Sequence, residues 1–358
     1  MPRRPKPDLH DVARAADVSI ATVSRVLNGA TVVRPDTRDR VLQAIAQLRY
    51  TPDLQARALR GGNSRTLGMI VSNLKNPFFL DVYESLEAEA HRHGYEVLVA
   101  STGYDPNRLA ASIRLMLGRR VAGIAAIVSE MSPTMVTELR ASGVPVVLHD
   151  AGDLRRDRMT LRIDYTAGMQ QIVELLYNAG HRRFAFVGHH TTLGSLSARQ
   201  QAFVEAVSRH GRRVTHRIVT DADSLDGGRR AAHTLLDQGE SPTAIVCVND
   251  FIAAGVLRGL RDRGVRVPQD ISVTGFDNVT LSEYTEPPLT TLDIPRDEIG
   301  RLAVQRLLQD TAPRRGSANR ERIMTPALVV RASTATAAAT TAKGAAKNAA
   351  NRRGARQP

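Results

Sequence analysis

The chain has 358 residues, one cysteine, no tryptophan and a formal charge of +13, which is long enough for a small head and a larger body of one or two α/β lobes. The lone Cys247 sits in the apolar run Ala244-Ile245-Val246-Cys247-Val248, which excludes a disulfide or cysteine-based metal site within the chain. No stretch reaches the roughly 18 apolar residues of a membrane span and none follows the charged N-terminus as in a signal peptide, so the cytoplasm is the expected compartment.

The charge is unevenly spread. Residues 1–62 hold 11 Lys/Arg against 6 Asp/Glu, residues 334–358 hold five basic residues and no acidic one, and the stretch between holds 33 against 30. A folded basic head points to a polyanionic partner, nucleic acid before membrane.

In chain order, apolar Leu9, Val12, Ala13 and Ala16 recur at helical spacing with Asp8 placed to cap them. After a tight turn at Asp17-Val18, Ser19 can cap a second helix over 20–28, ended by Gly29. A third helix over 35–48 starts at Pro35, which suits a first helical turn, and carries Val41, Ile45 and Leu48 inward. Residues 53–60 can form two further helical turns, too short to persist alone, and Gly61-Gly62-Asn63-Ser64 reads as a joint. Beyond it, apolar strands alternate with amphipathic helices, the pattern of parallel α/β layers. Strands are expected at 67–71, 96–100, 123–128, 144–149, 184–187, 244–248 and 271–274, with helices including 79–93 and 199–210. Two similar series imply two lobes. A last strand at 327–331 follows a helix at 299–308, so the chain should cross between lobes more than once. Residues 334–358, rich in Ala, Thr, Lys and Arg, are expected to be a disordered basic tail.

In a helix-turn-helix the second helix enters the major groove, where its leading side chains read base edges and their neighbours grip phosphate. Ile20, Ala21, Thr22 and Arg25 would form that face, with Ser19, Ser24 and Asn28 beside them; Arg25 can donate bidentately to guanine. The spacing alone also fits any small three-helix bundle. The stretch from Leu9 to Tyr50, with Asp11-Val12-Ala13, Val18-Ser19, Thr22-Val23-Ser24-Arg25-Val26-Leu27-Asn28 and Tyr50-Thr51-Pro52, resembles the head of the LacI/GalR repressor family. The resemblance continues through Asn76-Pro77-Phe78-Phe79, Gly180-His181-Arg182-Arg183, Asn249-Asp250-Phe251, Gly275-Phe276-Asp277 and Leu328-Val329-Val330-Arg331, covering roughly residues 8–334.

That resemblance implies a dimeric repressor of a palindromic operator, whose body resembles the periplasmic sugar-binding fold with three crossovers between lobes. It implies a DNA-binding head at 8–52 and a hinge helix with linker at 53–62. It further implies a two-lobed effector-binding and dimerisation core at 63–333, with lobe 1 at 63–162 plus 293–322 and lobe 2 at 163–292 plus 323–333. On the hinge, Ala56, Leu59 and Arg60 would meet DNA, Leu59 matching the family's wedge that pries a base step apart. Arg34 stands where the family has a small capping residue, and Tyr165 where Asn is usual.

An interlobe cleft needs stacking faces and fixed polar groups. Phe78 and Phe79 supply faces, and by motif position Asp150, Arg199, Asn249 and Asp277 match effector contacts. Two carboxylates, a guanidinium and an amide suit vicinal hydroxyls, so the expected effector is a sugar or sugar derivative, with nucleosides and purines as rivals. Taken singly, Asp150 and Asp277 could instead cap strand ends. The chain lacks HExxH, GxSxG, P-loop and paired-cysteine motifs, so no catalytic residue, metal or cofactor is expected. A freestanding solute-binding protein would fit the body but not the head. The tail, without Leu, Ile or Val, gives no seam for a tetramer-forming heptad helix, which leaves a dimer.

Overall fold

The computed structural model describes residues 7–27, 32–50, 64–149, 160–190, 193–238, 241–309 and 322–337. It divides into two compact units, Met1–Ser64 and Arg65–Pro358.

The first unit is a three-helix bundle of α1 (Leu9–Ala15), α2 (Ile20–Leu27) and α3 (Pro35–Leu48). Asp8 and Asp11 form a reciprocal capping box, each carboxylate accepting from the other's backbone N–H at 2.9 and 3.0 Å. Asp17, at φ +52°, turns the chain back so that Val18 N–H reaches Ala13 O at 3.0 Å. Ser19 Oγ accepts from Thr22 N–H at 3.2 Å and so caps α2. Val12, Ala13, Ala16, Val23, Val26, Val41 and Ala44 close the core. Arg34, ahead of Pro35, makes no side-chain cap on α3. Asn28, and the expected hinge helix with Ala56, Leu59 and Arg60, lie outside the described residues.

The second unit begins with β1 (Thr66–Val71), α4 (Pro77–Arg92), β2 (Glu96–Ser101), α5 (Pro106–Gly118), β3 (Gly123–Ile127), α6 (Pro133–Ala141), β4 (Val146–His149) and β5 (Thr160–Ile163). It continues with α7 (Tyr165–Asn178), β6 (Arg183–His189), α8 (Gly194–Ser208), β7 (Thr215–Asp221), α9 (Leu225–Asp237), β8 (Ala244–Cys247), α10 (Asp250–Asp262) and β9 (Ser272–Thr274). It closes with β10 (Thr291–Asp293), α11 (Arg296–Gln309), β11 (Arg322–Met324) and β12 (Ala327–Val329). One parallel sheet has the order β2-β1-β3-β4-β5-β11 and the other β7-β6-β8-β9, while β10 and β12 pair antiparallel. Strands β3, β4 and β8 are buried along their whole length, as parallel strands covered by helices on both faces must be.

The chain leaves the first lobe after β5, returns to it with α11, which packs on α4, and crosses again after β11. Gly300 lets α11 touch α4 backbone to backbone: a Cβ there would lie 2.6 Å from Val82 O and from Leu86 N.

Three expectations need correction. Strands β5, β7, β10 and β11 carry no long apolar run; β7, Thr-His-Arg-Ile-Val-Thr-Asp, is an edge strand with half its side chains in solvent. Helices α4, α8 and α11 start two, five and three residues earlier than their apolar spacing suggests, α4 because Pro77 and the Asn76 cap open it before the first Phe. The tail is not free from residue 334. Ala335 N–H donates to Ser272 Oγ at 3.1 Å and Ala337 N–H to Ala179 O at 2.8 Å, so residues 334–337 are held by hydrogen bonds along the second lobe; the rest of the tail lies outside the described residues. Among the described residues no helix is long and apolar enough to cross a membrane.

Candidate functional site

On the head, burying Val23 and Val26 turns Ser19, Ala21 and Arg25 to solvent, with Ile20, Thr22 and Ser24 half-buried at the edges. Thr22 Oγ1 lies 2.9 Å from Ser19 Oγ, which steadies the leading turn. The exposed guanidinium of Arg25 offers a planar fork of donors.

In the second unit the polar residues gather at the carboxyl ends of the strands of both sheets, where open α/β folds bind ligands. A cleft of about 370 Å³, counting the part open to solvent, brings together Phe78, Phe79, Arg199, Asn249 and Asp277, five of the six expected effector residues. The sixth, Asp150, lies outside the described residues, although His149 just before it lines the same cleft. Phe78 sits edge-on to Phe79 at 5.2 Å and stacks with His149 at 6.2 Å.

Arg199 and Asp277 are 4% and 1% exposed and form an ion pair, Nη2 to Oδ1, at 3.2 Å. Arg199 also donates from Nη1 to Val248 O at 2.9 Å, with its guanidinium 4.1 Å from the Phe276 ring centre and 5.0 Å from that of Tyr165. Tyr165 therefore supplies a face for the arginine. Burial pushes the Asp277 carboxyl up to about 6 although Arg199 and Arg296 pull it down. Arg296, at the start of α11, bonds the Asp277 carbonyl and reaches Asp81 on α4 at 2.9 Å, linking the second lobe to the first at a crossover. Asp250, buried behind this group, accepts from Thr291 Oγ1 at 2.6 Å and Val279 N–H at 2.9 Å, and burial with the nearby Asp277 holds its carboxyl well above the usual range.

Several residues that line the cleft or stand beside it carry no motif signal. Ser129 and Ser195 bring their hydroxyls within 2.9 Å across the two lobes. Tyr104 rests its ring 4.3 Å from that of His189, and burial followed by the charge of Asp223 pushes its phenol well above 10. Asp223 itself accepts from Tyr104, Asn73, Asn76 and Asn249. Its only signal would have been the carboxyl end of β7, a strand without an apolar run. Glu130, fully enclosed, accepts from Ser72 Oγ at 2.6 Å, Ser129 N–H at 3.1 Å and Thr102 Oγ1, and so ties together the ends of β1, β2 and β3. His181, quoted in the Gly180-His181 motif, packs at its turn with Nε2 3.0 Å from Ala335 O. No group of three or more His, Cys, Asp or Glu suited to a metal occurs among the described residues.

The family model for bacterial regulatory proteins, lacI family, matches residues 8–53, and that for a periplasmic binding protein-like domain matches residues 173–334. The ribose operon repressor of Haemophilus influenzae is 32% identical over 302 residues, spanning 84% of this chain and 91% of that protein. Among solved structures, the Lac repressor dimer bound to operator and the anti-inducer ONPF matches with a TM-score of 0.80 at 28% identity, covering 92% of this chain and 100% of that one. The transcriptional regulator CelR in complex with cellobiose matches with a TM-score of 0.64 at 26% identity, covering 91% and 99%.

Proposed function

Because the chain belongs to the lacI family of bacterial regulatory proteins, we propose that it is a transcriptional repressor that binds a palindromic operator as a homodimer and answers to a small polar effector in the cleft between its lobes. The observation that carries this reading is the presence, in one chain, of a capped helix exposing Ala21 and Arg25 and of a cleft with the buried Arg199–Asp277 pair. The first supplies a groove-reading face. The second supplies fixed polar groups between aromatic walls, the chemistry of polyol recognition. A sugar or sugar derivative is the effector that Phe78, Phe79, Arg199, Asn249 and Asp277 fit best, and cellobiose in a related regulator is a precedent for that class. Effector contacts drawn from both lobes would favour one lobe closure over another, and only such a difference in affinity can move the equilibrium.

Selection from a random duplex pool with the full-length protein tests the DNA half: an inverted repeat should be enriched, and a pool that stays random would refute it. A thermal-shift screen of neutral sugars, nucleosides and purines, followed by operator titration with each hit, tests the effector half. Hits that stabilise the protein without changing operator affinity would remove the regulatory role.

A further inference from the structure

One carboxylate receives hydrogen bonds from both lobes. Asp223 stands on the turn between β7 and α9, in the second lobe, and is 6% exposed. Its Oδ2 accepts from Tyr104 OH at 2.7 Å, Asn73 Nδ2 at 2.9 Å and Asn76 Nδ2 at 3.2 Å, all three from the first lobe. Its Oδ1 accepts from Asn249 Nδ2 at 2.8 Å, in its own lobe. Asn73 Nδ2 also reaches the Asp223 backbone carbonyl at 2.9 Å.

Two of these donors are fixed by the helices they start. Asn76 Oδ1 accepts from Phe78 N–H at 3.1 Å at the head of α4, and Asn249 Oδ1 accepts from Ile252 N–H at 2.8 Å at the head of α10. Each cap holds its amide plane so that the NH2 group points into the cleft. One capping asparagine from each lobe thus converges on a single acceptor. Hydrogen bonds to a charged acceptor are the strong ones, and separating the lobes would leave three first-lobe donors facing a gap.

We propose that Asp223 is the positioning residue that sets lobe closure: its carboxylate bridges the lobes, and an effector entering the cleft must exchange these bonds for its own. The idea rests on the cleft being the effector site, but the bridging itself is measurable without effector or DNA. The test is amide hydrogen exchange on the full-length, effector-free chain. In Asp223→Ala, amides of residues 73–80 and 103–106 should exchange about tenfold faster, the equivalent of about one net hydrogen bond. Amides inside β8 and α9 should keep wild-type rates. Tyr104→Phe, which keeps the ring on His189 and removes only the hydroxyl, should speed the same first-lobe peptides by a smaller factor. Unchanged exchange in both variants would overturn the proposal. So would acceleration spread evenly through both lobes, because that would make Asp223 a support of the fold rather than of closure. Should Asp223→Ala fail to fold, Asn73→Ala and Tyr104→Phe carry the same test, and unchanged exchange in both would overturn it. A failure of operator selection would sink the functional reading while leaving this measurement intact.

Discussion

Arg199 Nη2 lies 3.2 Å from Asp277 Oδ1 in a site almost sealed from water. The motif positions mark both as effector contacts, and their burial ties them to folding as well. Arg199→Ala would leave the Asp277 carboxyl buried without its ion-pair partner and with only the weaker pull of Arg296, a loss of up to roughly 3–5 kcal/mol. The double change Arg199→Met with Asp277→Leu removes both charges and should recover much of that loss while still abolishing any effector response. Urea unfolding of the two proteins checks this, and a double variant no more stable than the single one would contradict it.

The raised carboxyl of Asp277 gives stability a definite pH dependence. The native state, with this group near 6, holds the proton more tightly than the unfolded chain, with its ordinary value of 3.8. Its stabilisation is therefore complete below about pH 4 and is lost as the pH climbs through about 6. Asp277→Asn imitates the protonated form and should lack this loss. The stability difference between variant and wild type should shift in favour of the variant by roughly 2–3 kcal/mol between pH 4 and pH 7. Unfolding curves at four pH values across that window decide it; a constant difference would mean that Arg199 keeps the carboxylate ionised throughout.

The fold was legible where burial writes itself into composition. Strands β3 and β8 are apolar runs because both faces are covered, and α1 to α3 show their inward residues at helical spacing. What stayed hidden was polar or short: β7 at the edge of one sheet, β11 at the edge of the other with β5 beside it, and the β10–β12 pair at the crossovers. The cleft followed the same division. Phe78, Phe79, Asn249 and Asp277 stood in recognisable motifs and Arg199 at a position the family resemblance marks, whereas Asp223 could be placed only by knowing that β7 ends beside it. That Arg199 and Asp277 neutralise each other, and that Asn76 and Asn249 share one acceptor, depends on three-dimensional contacts that no local pattern encodes.

Gly194 marks a second point where the lobes meet. Its φ is +61°, and a Cβ there would come within 2.5 Å of Ser129 O, in the other lobe. Gly194→Ala should therefore destabilise through both backbone strain and forced separation of the lobes, by roughly 1–3 kcal/mol. Ser195→Ala, which removes only the hydroxyl facing Ser129, should lose roughly 0.5–1.5 kcal/mol. Thermal unfolding of the two variants side by side gives the order, and a harmless Gly194→Ala would show that the lobes approach less closely in solution.

On the head, Arg25 and Ala21 are four residues apart, so they lie one turn above the other on the exposed face of α2, opposite Val23 and Val26 in the core. A side chain so placed can reach a base edge without disturbing the bundle, and Arg25→Ala should leave the melting of the head unchanged. If the guanidinium makes a bidentate contact to guanine, the substitution should weaken binding to the selected operator by roughly 1–3 kcal/mol and leave binding to random duplex nearly intact. Wild-type affinity for both should fall steeply with salt, since the basic head releases counterions from phosphate, and the salt slope of the variant on operator should stay close to that of wild type. Titrations of both duplexes at several salt concentrations separate the possibilities. Equal losses on operator and random DNA, with a shallower salt slope, would assign Arg25 to phosphate and move sequence reading to other residues of the head; a flat slope for the wild type would remove DNA as the partner of this face.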